Sequence, residues 1–160
     1  IIAIFFEGTP LVANKRYSCI GLYNPKSPEN VGSVMRAAGC YGVNSVFYTG
    51  KRYARAQEFA TDTKMIHQDI PLIGIDDLRQ VIPLGCTPVA VELVKDAKPL
   101  PEYRHPEQAF YIFGPEDGTL DKGVRAWCQD VVFIPTEGCM NLAATVNVVL
   151  YDRMVKALKN

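Results

Sequence analysis

Arginine, asparagine and glutamate recur beside glycines in three short stretches of this chain, and each set could do chemistry. The first runs Asn24-Pro25-Lys26-Ser27-Pro28-Glu29-Asn30-Val31-Gly32-Ser33-Val34-Met35-Arg36 and continues to Gly42. Asn30 can cap a helix there, Gly32 permits close backbone approach, and Arg36, about a turn and a half in, can face the same edge. A guanidinium so placed can hold a phosphate or stabilise a developing alkoxide, although its permanent charge makes it an awkward general base. The second stretch, Phe113-Gly114-Pro115-Glu116-Asp117-Gly118, sets a carboxylate between two glycines, so a ligand can touch backbone while Glu116 accepts hydrogen bonds or a proton. The third, Ile134-Pro135-Thr136-Glu137-Gly138-Cys139-Met140-Asn141-Leu142, joins a strand to a long helix with Asn141 at the cap position. Taken singly, each stretch reads equally as a capped helix or a tight strand-to-helix turn.

The elements that must position these residues follow from periodicity. Short apolar runs alternate with helical patterns, which predicts an α/β fold on a mostly parallel six-stranded sheet flanked by helices. Strands are expected near Ser18–Tyr23, Ser45–Tyr48, Ile70–Leu72, Pro88–Val91, Ala109–Phe113 and Val131–Ile134. Helices are expected over Asn30–Gly42, with Gly42 as its C-cap, and over Asp76–Val81, Asp121–Cys128 and Asn141–Leu158. The Lys95–Pro106 segment, with three prolines, reads as an exposed loop crossing the carboxyl edge of the sheet, where open α/β folds place ligands. No linker or repeat divides the 160 residues, so a single domain over 1–160 is expected.

Composition excludes some classes and leaves others open. Seventeen Lys+Arg balance 17 Asp+Glu, so no global field draws the chain to a polyanion. The Tyr48–Arg55 stretch, with Lys51, Arg52 and Arg55, and Lys64 beyond it, nonetheless concentrates cations and aromatics that suit RNA phosphates and bases, or else form a solvated loop. Five cysteines lack any CxxC pair and sit mostly beside apolar residues, which reads as reduced buried thiols in a cytoplasmic protein. The amino-terminal IIAIFF run is too short to span a bilayer, so no membrane association is expected. His67 and His105 lack partners at metal spacing, and neither GxGxxG nor GxxxxGK[ST] occurs.

The order and spacing of the three stretches, with their N..NxGxxxR, GxE and (S/C)xN cores, resemble the SpoU/TrmH family of the SPOUT superfamily from about Ser18 to Asp152. That resemblance implies a carboxyl-terminal deep trefoil knot, the SPOUT fold, and an S-adenosylmethionine-dependent RNA ribose 2'-O-methyltransferase. It implies a homodimer through the first and last helices, with Arg36 serving the cofactor bound by the other subunit. Carried over by position, the cofactor-contacting residues are Val91, Glu92, Phe113, Gly114, Gly118, Ile134, Pro135, Cys139, Met140 and Leu142. Arg36, Asn30, Glu116 and Asn141 are the catalytic candidates, with Glu116, a phosphate oxygen or water taking the proton; Lys51, Arg52 and Arg55 are the RNA-binding ones. No metal is implied. The size favours tRNA over rRNA, and a catalytically idle RNA-binding relative or an unrelated small α/β enzyme are the competing classes. Two departures stand out: Cys139 replaces the serine common in relatives, and Gly118 lies one place early.

Overall fold

The structure, a computed structural model, describes residues 16–59 and 69–159. The IIAIFF run, Lys64 and His67 lie outside the described residues. Two strands, β1 (Ser18–Leu22) and β6 (Ala109–Phe113), are buried at every position. A strand with no polar face has to be covered on both sides, which places it in the middle of a parallel sheet. The remaining strands are β2 (Ser45–Tyr48), β3 (Leu72–Gly74), β4 (Thr87–Val91), β5 (Lys98–Pro99) and β7 (Asp130–Phe133). They form a seven-stranded sheet of order β3-β2-β1-β6-β4-β7-β5, in which β1 and β6 pair near the centre. Each pairing is parallel.

Alternation along the strands sorts the core into two layers. Ile20, Leu22, Val89, Val91, Tyr111 and Phe113 point to one face, where α1 (Pro28–Cys40) and α4 (Leu142–Leu158) cover them. Cys19, Ala90, Phe110 and Ile112 point to the other, where Leu78 of a 3-10 turn, Leu120, and Val124 of α3 (Lys122–Ala126) lie. Each large apolar side chain buried this way contributes roughly 1.5–3 kcal/mol relative to exposure.

The first helix starts earlier than expected. Ser27, not Asn30, is the cap: its hydroxyl accepts the Asn30 N–H at 3.2 Å, and Pro28 takes the first helical position. The helix ends at Cys40, two residues before the expected Gly42, with Tyr41 as its C-cap; Gly42 follows with a φ of +67° that lets the Val43 N–H reach back to the Ala38 carbonyl at 2.9 Å. Asn141 does cap α4, accepting from the Ala144 N–H at 2.7 Å. Gly32 meets nothing within 4 Å of where a Cβ would stand, so no close approach inside the chain requires it.

Other expectations need correcting. The sheet has seven strands rather than six, because Lys98–Pro99 adds a two-residue edge strand beside β7. The Lys95–Pro106 segment is therefore no simple exposed loop, and it buries Leu100 and Tyr103. Strand β3 sits two residues later than the apolar run suggested. Asp76–Val81 reduces to a 3-10 turn capped by Asp77, and α3 is shorter than Asp121–Cys128. The basic stretch after β2 is not a loop: Arg52–Phe59 is a helix, α2, with Tyr53 buried against Tyr48. The cysteines are free, but Cys19 alone of the five is buried, while Cys40 and Cys139 are exposed.

At the amino edge α4 is tied down by a buried polar network. Arg153, 8% exposed, donates to the carbonyls of Pro106 (2.5 Å), Glu107 (2.6 Å) and Tyr17 (3.3 Å) and to the Tyr111 hydroxyl (3.1 Å). Since that oxygen accepts from Arg153, its own proton is directed at His105 Nδ1, 2.6 Å away, and His105 Nε2–H faces Asp152 at 2.8 Å. Burial drives the His105 pKa down, against the opposing pull of Asp152, so the ring is neutral. Burial likewise pushes the Tyr111 hydroxyl up to about 12, keeping its proton in place. Sequence spacing had given His105 no partner; the fold supplies one 47 residues away.

Candidate active site at the carboxyl edge of the sheet

Parallel register brings the three carried-over strand ends side by side. Val91 pairs with Phe113 on one flank and with Val132 on the other, and the Glu92 N–H continues the ladder to the Val132 carbonyl at 2.9 Å. Ile134, immediately past β7, packs on the core cluster that also holds Val91, Phe113 and Leu142. Four of the expected residues thus belong to the apolar core on one face of the sheet, Val91, Phe113 and Leu142 as buried members and Ile134 partly buried against it, with half-buried Met140 two positions before Leu142. Pro135, Gly118 and Cys139 are exposed and are not part of that core.

Gly114 opens the loop after β6, where there is little room for a side chain. A Cβ there would stand 3.0 Å from the Leu120 backbone nitrogen, so the loop folds back onto its own first residue. Gly118 faces no comparable crowding, its nearest neighbour being Pro115 at 3.4 Å.

Glu116 joins this loop to the start of α1. Its carboxylate accepts from the Lys26 N–H (2.9 Å), the Ser27 N–H (3.1 Å) and the Asn30 side-chain amide (3.2 Å). Burial opposes its ionisation, but the backbone donors of Glu116, Ser27 and Lys26 and the Asn30 amide outweigh it and hold the carboxyl below its ordinary range. Asn30 and Glu116 are therefore brought together as expected, as an anchor in which both oxygens are occupied. Next to it, Asp117 pairs with Arg52 at 2.8 Å and Lys26 at 3.6 Å, so the loop before α1 and the start of α2 meet on two adjacent carboxylates. Asn24, just beyond β1, takes a left-handed φ of +48° and donates its N–H to Thr49 Oγ1 at 3.1 Å. Such strain in a non-glycine residue costs about 1–3 kcal/mol and collects at functional edges.

Arg36 is not at this rim. It stands on the solvent face of α1, opposite the buried Val31, Val34, Ala37 and Ala38, about 13.5 Å along the axis from the cap. Among the described residues it has no hydrogen bond or ion pair. Asn141 keeps its amide nitrogen unengaged, within the same limits, while its oxygen caps α4. Lys51 and Arg55 are exposed at the start of α2, whereas Arg52 is held by Asp117. Glu92, expected among the cofactor-contacting residues, has both carboxylate oxygens accepting backbone N–H groups within the chain. Sequence reasoning missed Ser27, Asp117 and the task of Glu92; the Ser-Pro-Glu order is the signal that could have found Ser27 as the cap in place of Asn30. Among the described residues no His, Cys, Asp and Glu group could hold a metal ion, and no helix is long and apolar enough to cross a membrane.

The same parallel α/β architecture occurs in several solved structures. The chain is similar to the SpoU methyltransferase AviRb from Streptomyces viridochromogenes, at 17% identity and TM-score 0.73 over 93% of this chain and 63% of that one. It is also similar to a protein solved for insight into 2-OH methylation of C/U34 on tRNA, at 24% identity and TM-score 0.72 over 94% and 96% of the two chains. A third likeness is to the TrmH/SpoU tRNA modifying enzyme of A. aeolicus, at 15% identity and TM-score 0.72 over 93% and 79%. The model of the SpoU rRNA Methylase family matches residues 18–151, and the chain belongs to that family. It spans less than two thirds of AviRb. No curated protein matches the chain at a significant level.

Proposed function

We propose that the chain is an S-adenosylmethionine-dependent RNA methyltransferase that methylates a ribose 2'-hydroxyl, with tRNA favoured over rRNA. The observation that carries this reading is the meeting of the β4, β6 and β7 ends with Ile134 and Leu142 in one apolar core, under a loop anchored by Glu116. An AviRb structure contains the cofactor AdoMet, and the residues here fit such a group. Ile134, Met140 and Leu142 offer apolar surface to a purine, and Val91, Phe113, Gly114 and Pro135 offer strand-end backbone. Gly118 and Cys139 border the same edge from exposed loops. When bound, the cofactor supplies an electrophilic methyl group on a sulfonium.

The chain's own residues then have distinct tasks. Glu116, with its oxygens occupied and its pKa lowered, is a poor proton acceptor, so a phosphate oxygen or water takes the hydroxyl proton. Asn30 and Glu116 fix the loops, and the unengaged Asn141 amide holds the ribose. Arg36 holds the neighbouring phosphate and stabilises the developing alkoxide. Its place on the outer face of α1, away from its own strand ends, supports service to a second subunit's site. Exposed Val148 and Tyr151 on α4, with half-buried Tyr41 after α1, supply apolar surface for a homodimer through these helices. Lys51 and Arg55 reach RNA phosphates, with Arg52 joining them on release from Asp117. The segment from β7 to α4 threads to form the trefoil knot of the SPOUT fold, and the enzyme works in the cytoplasm.

The tRNA preference is supported by the likeness over 96% of a chain connected with C/U34 methylation on tRNA; the family's rRNA description keeps rRNA as the second substrate class. Methyl transfer from tritiated S-adenosylmethionine to bulk tRNA and rRNA tests the reading. Arg36→Ala should lose transfer at least 100-fold with cofactor affinity unchanged, a magnitude in the range of removed electrostatic stabilisers. Full activity in that variant overturns the role of Arg36, and RNA binding without transfer by the unaltered chain identifies an idle relative.

A further inference from the structure

We infer that Glu92 is a positioning residue that holds the 114–120 loop in the shape the cofactor pocket needs, an inference that rests on the methyltransferase reading. Glu92 follows β4 directly, and its backbone N–H belongs to the β7 ladder, so the residue is fixed between two strands. Its Oε1 accepts the Leu93 N–H at 3.0 Å, and Oε2 accepts the Leu120 N–H at 2.5 Å across 28 residues of chain. Charge-assisted bonds of this kind are about twice as strong as neutral ones.

Leu120 is held through its following peptide too, since its carbonyl accepts from Arg125 Nε at 3.1 Å. Leu120 is fully buried, and its nitrogen is the atom that crowds Gly114. Fixing Leu120 therefore fixes the space beside Gly114, at the end of β6. Within the loop itself the Gly118 N–H to Pro115 carbonyl contact is long, at 3.4 Å, so the loop depends on outside anchors. Glu116 is one anchor, toward α1; Glu92 is the other, toward β4 and β7. A loop shaped before the ligand arrives binds without the cost of ordering it.

Glu92→Gln tests this in the full-length chain. The amide keeps the size but has one acceptor oxygen for two N–H groups. Hydrogen exchange without cofactor should quicken at residues 118–120. Calorimetric Kd and KM for S-adenosylmethionine should each rise roughly tenfold, the scale of a lost charged hydrogen bond, with kcat at saturating cofactor far less affected. Arg125→Met frees Leu120 from its carbonyl side and should raise KM in the same direction if Glu92→Gln fails to fold. Unchanged exchange at Leu120 overturns the anchor itself. Quickened exchange with unchanged cofactor affinity overturns its link to the pocket. If the unaltered chain binds no S-adenosylmethionine, the methyltransferase reading falls and the pocket role with it, while the exchange result still decides whether Glu92 holds the loop.

Discussion

Two arginines, one on α4 and one on α1, are used in opposite ways. At the amino edge Arg153 is buried and donates to three carbonyls and a hydroxyl; on the outer face of α1 Arg36 is exposed and meets no partner among the described residues. Polar groups at the amino edge satisfy one another and clip α4 to the strands. Those at the carboxyl edge, Glu92 and Glu116, use their charge on loop N–H groups and leave partly exposed Gly114, Ile134 and Met140 beside them. The contrast separates a stabilising end from a ligand-binding end by where hydrogen-bond capacity is used up.

Removing either arginine should therefore give opposite results. Arg153→Met strands buried acceptors and should cost about 3–5 kcal/mol by urea unfolding, while Arg36→Ala should stay within about 0.5 kcal/mol. Equal losses would erase the distinction. A smaller effect is expected from pH. The folded His105 pKa lies below its ordinary value, so the unfolded chain binds the proton more readily. The stability this contributes is full above about pH 6.5 and is lost as pH falls through the depressed folded value. Urea midpoints from pH 7.5 to 5 should fall, and more steeply than in His105→Gln. Ser27→Ala should cost about 1 kcal/mol while loosening the Glu116 anchor; Asn30→Ala should cost less, since the cap hydroxyl persists. Lys51→Ala with Arg55→Ala should leave stability untouched and reduce the slope of log RNA affinity against log salt by about 2.

The legible parts of the fold were those with a local signal. Strands β1 and β6 are continuous apolar runs, and the α4 stripe Leu142, Val146, Val149, Leu150 marked its buried face, one that also points to Arg153 at the next helical turn. What could not be seen depends on partners far along the chain. Helix α2 is rich in charge and lacks an apolar stripe, so Arg52–Phe59 looked like a loop; β5 has two residues, one a proline. Glu92 carries no local sign that its partner is Leu120. At the site, the strand ends were found through motif order, whereas the anchoring functions of Glu116 and Glu92 needed coordinates.

Calorimetric titration of the full chain with S-adenosylmethionine tests the central claim most directly. Saturable binding is expected in the unaltered chain and in Arg36→Ala alike, with marked weakening in Gly114→Ala, whose added Cβ would crowd the Leu120 nitrogen at 3.0 Å. Absence of saturable binding in the unaltered chain, or an undiminished affinity in Gly114→Ala, would contradict a cofactor pocket at the joined ends of β4, β6 and β7.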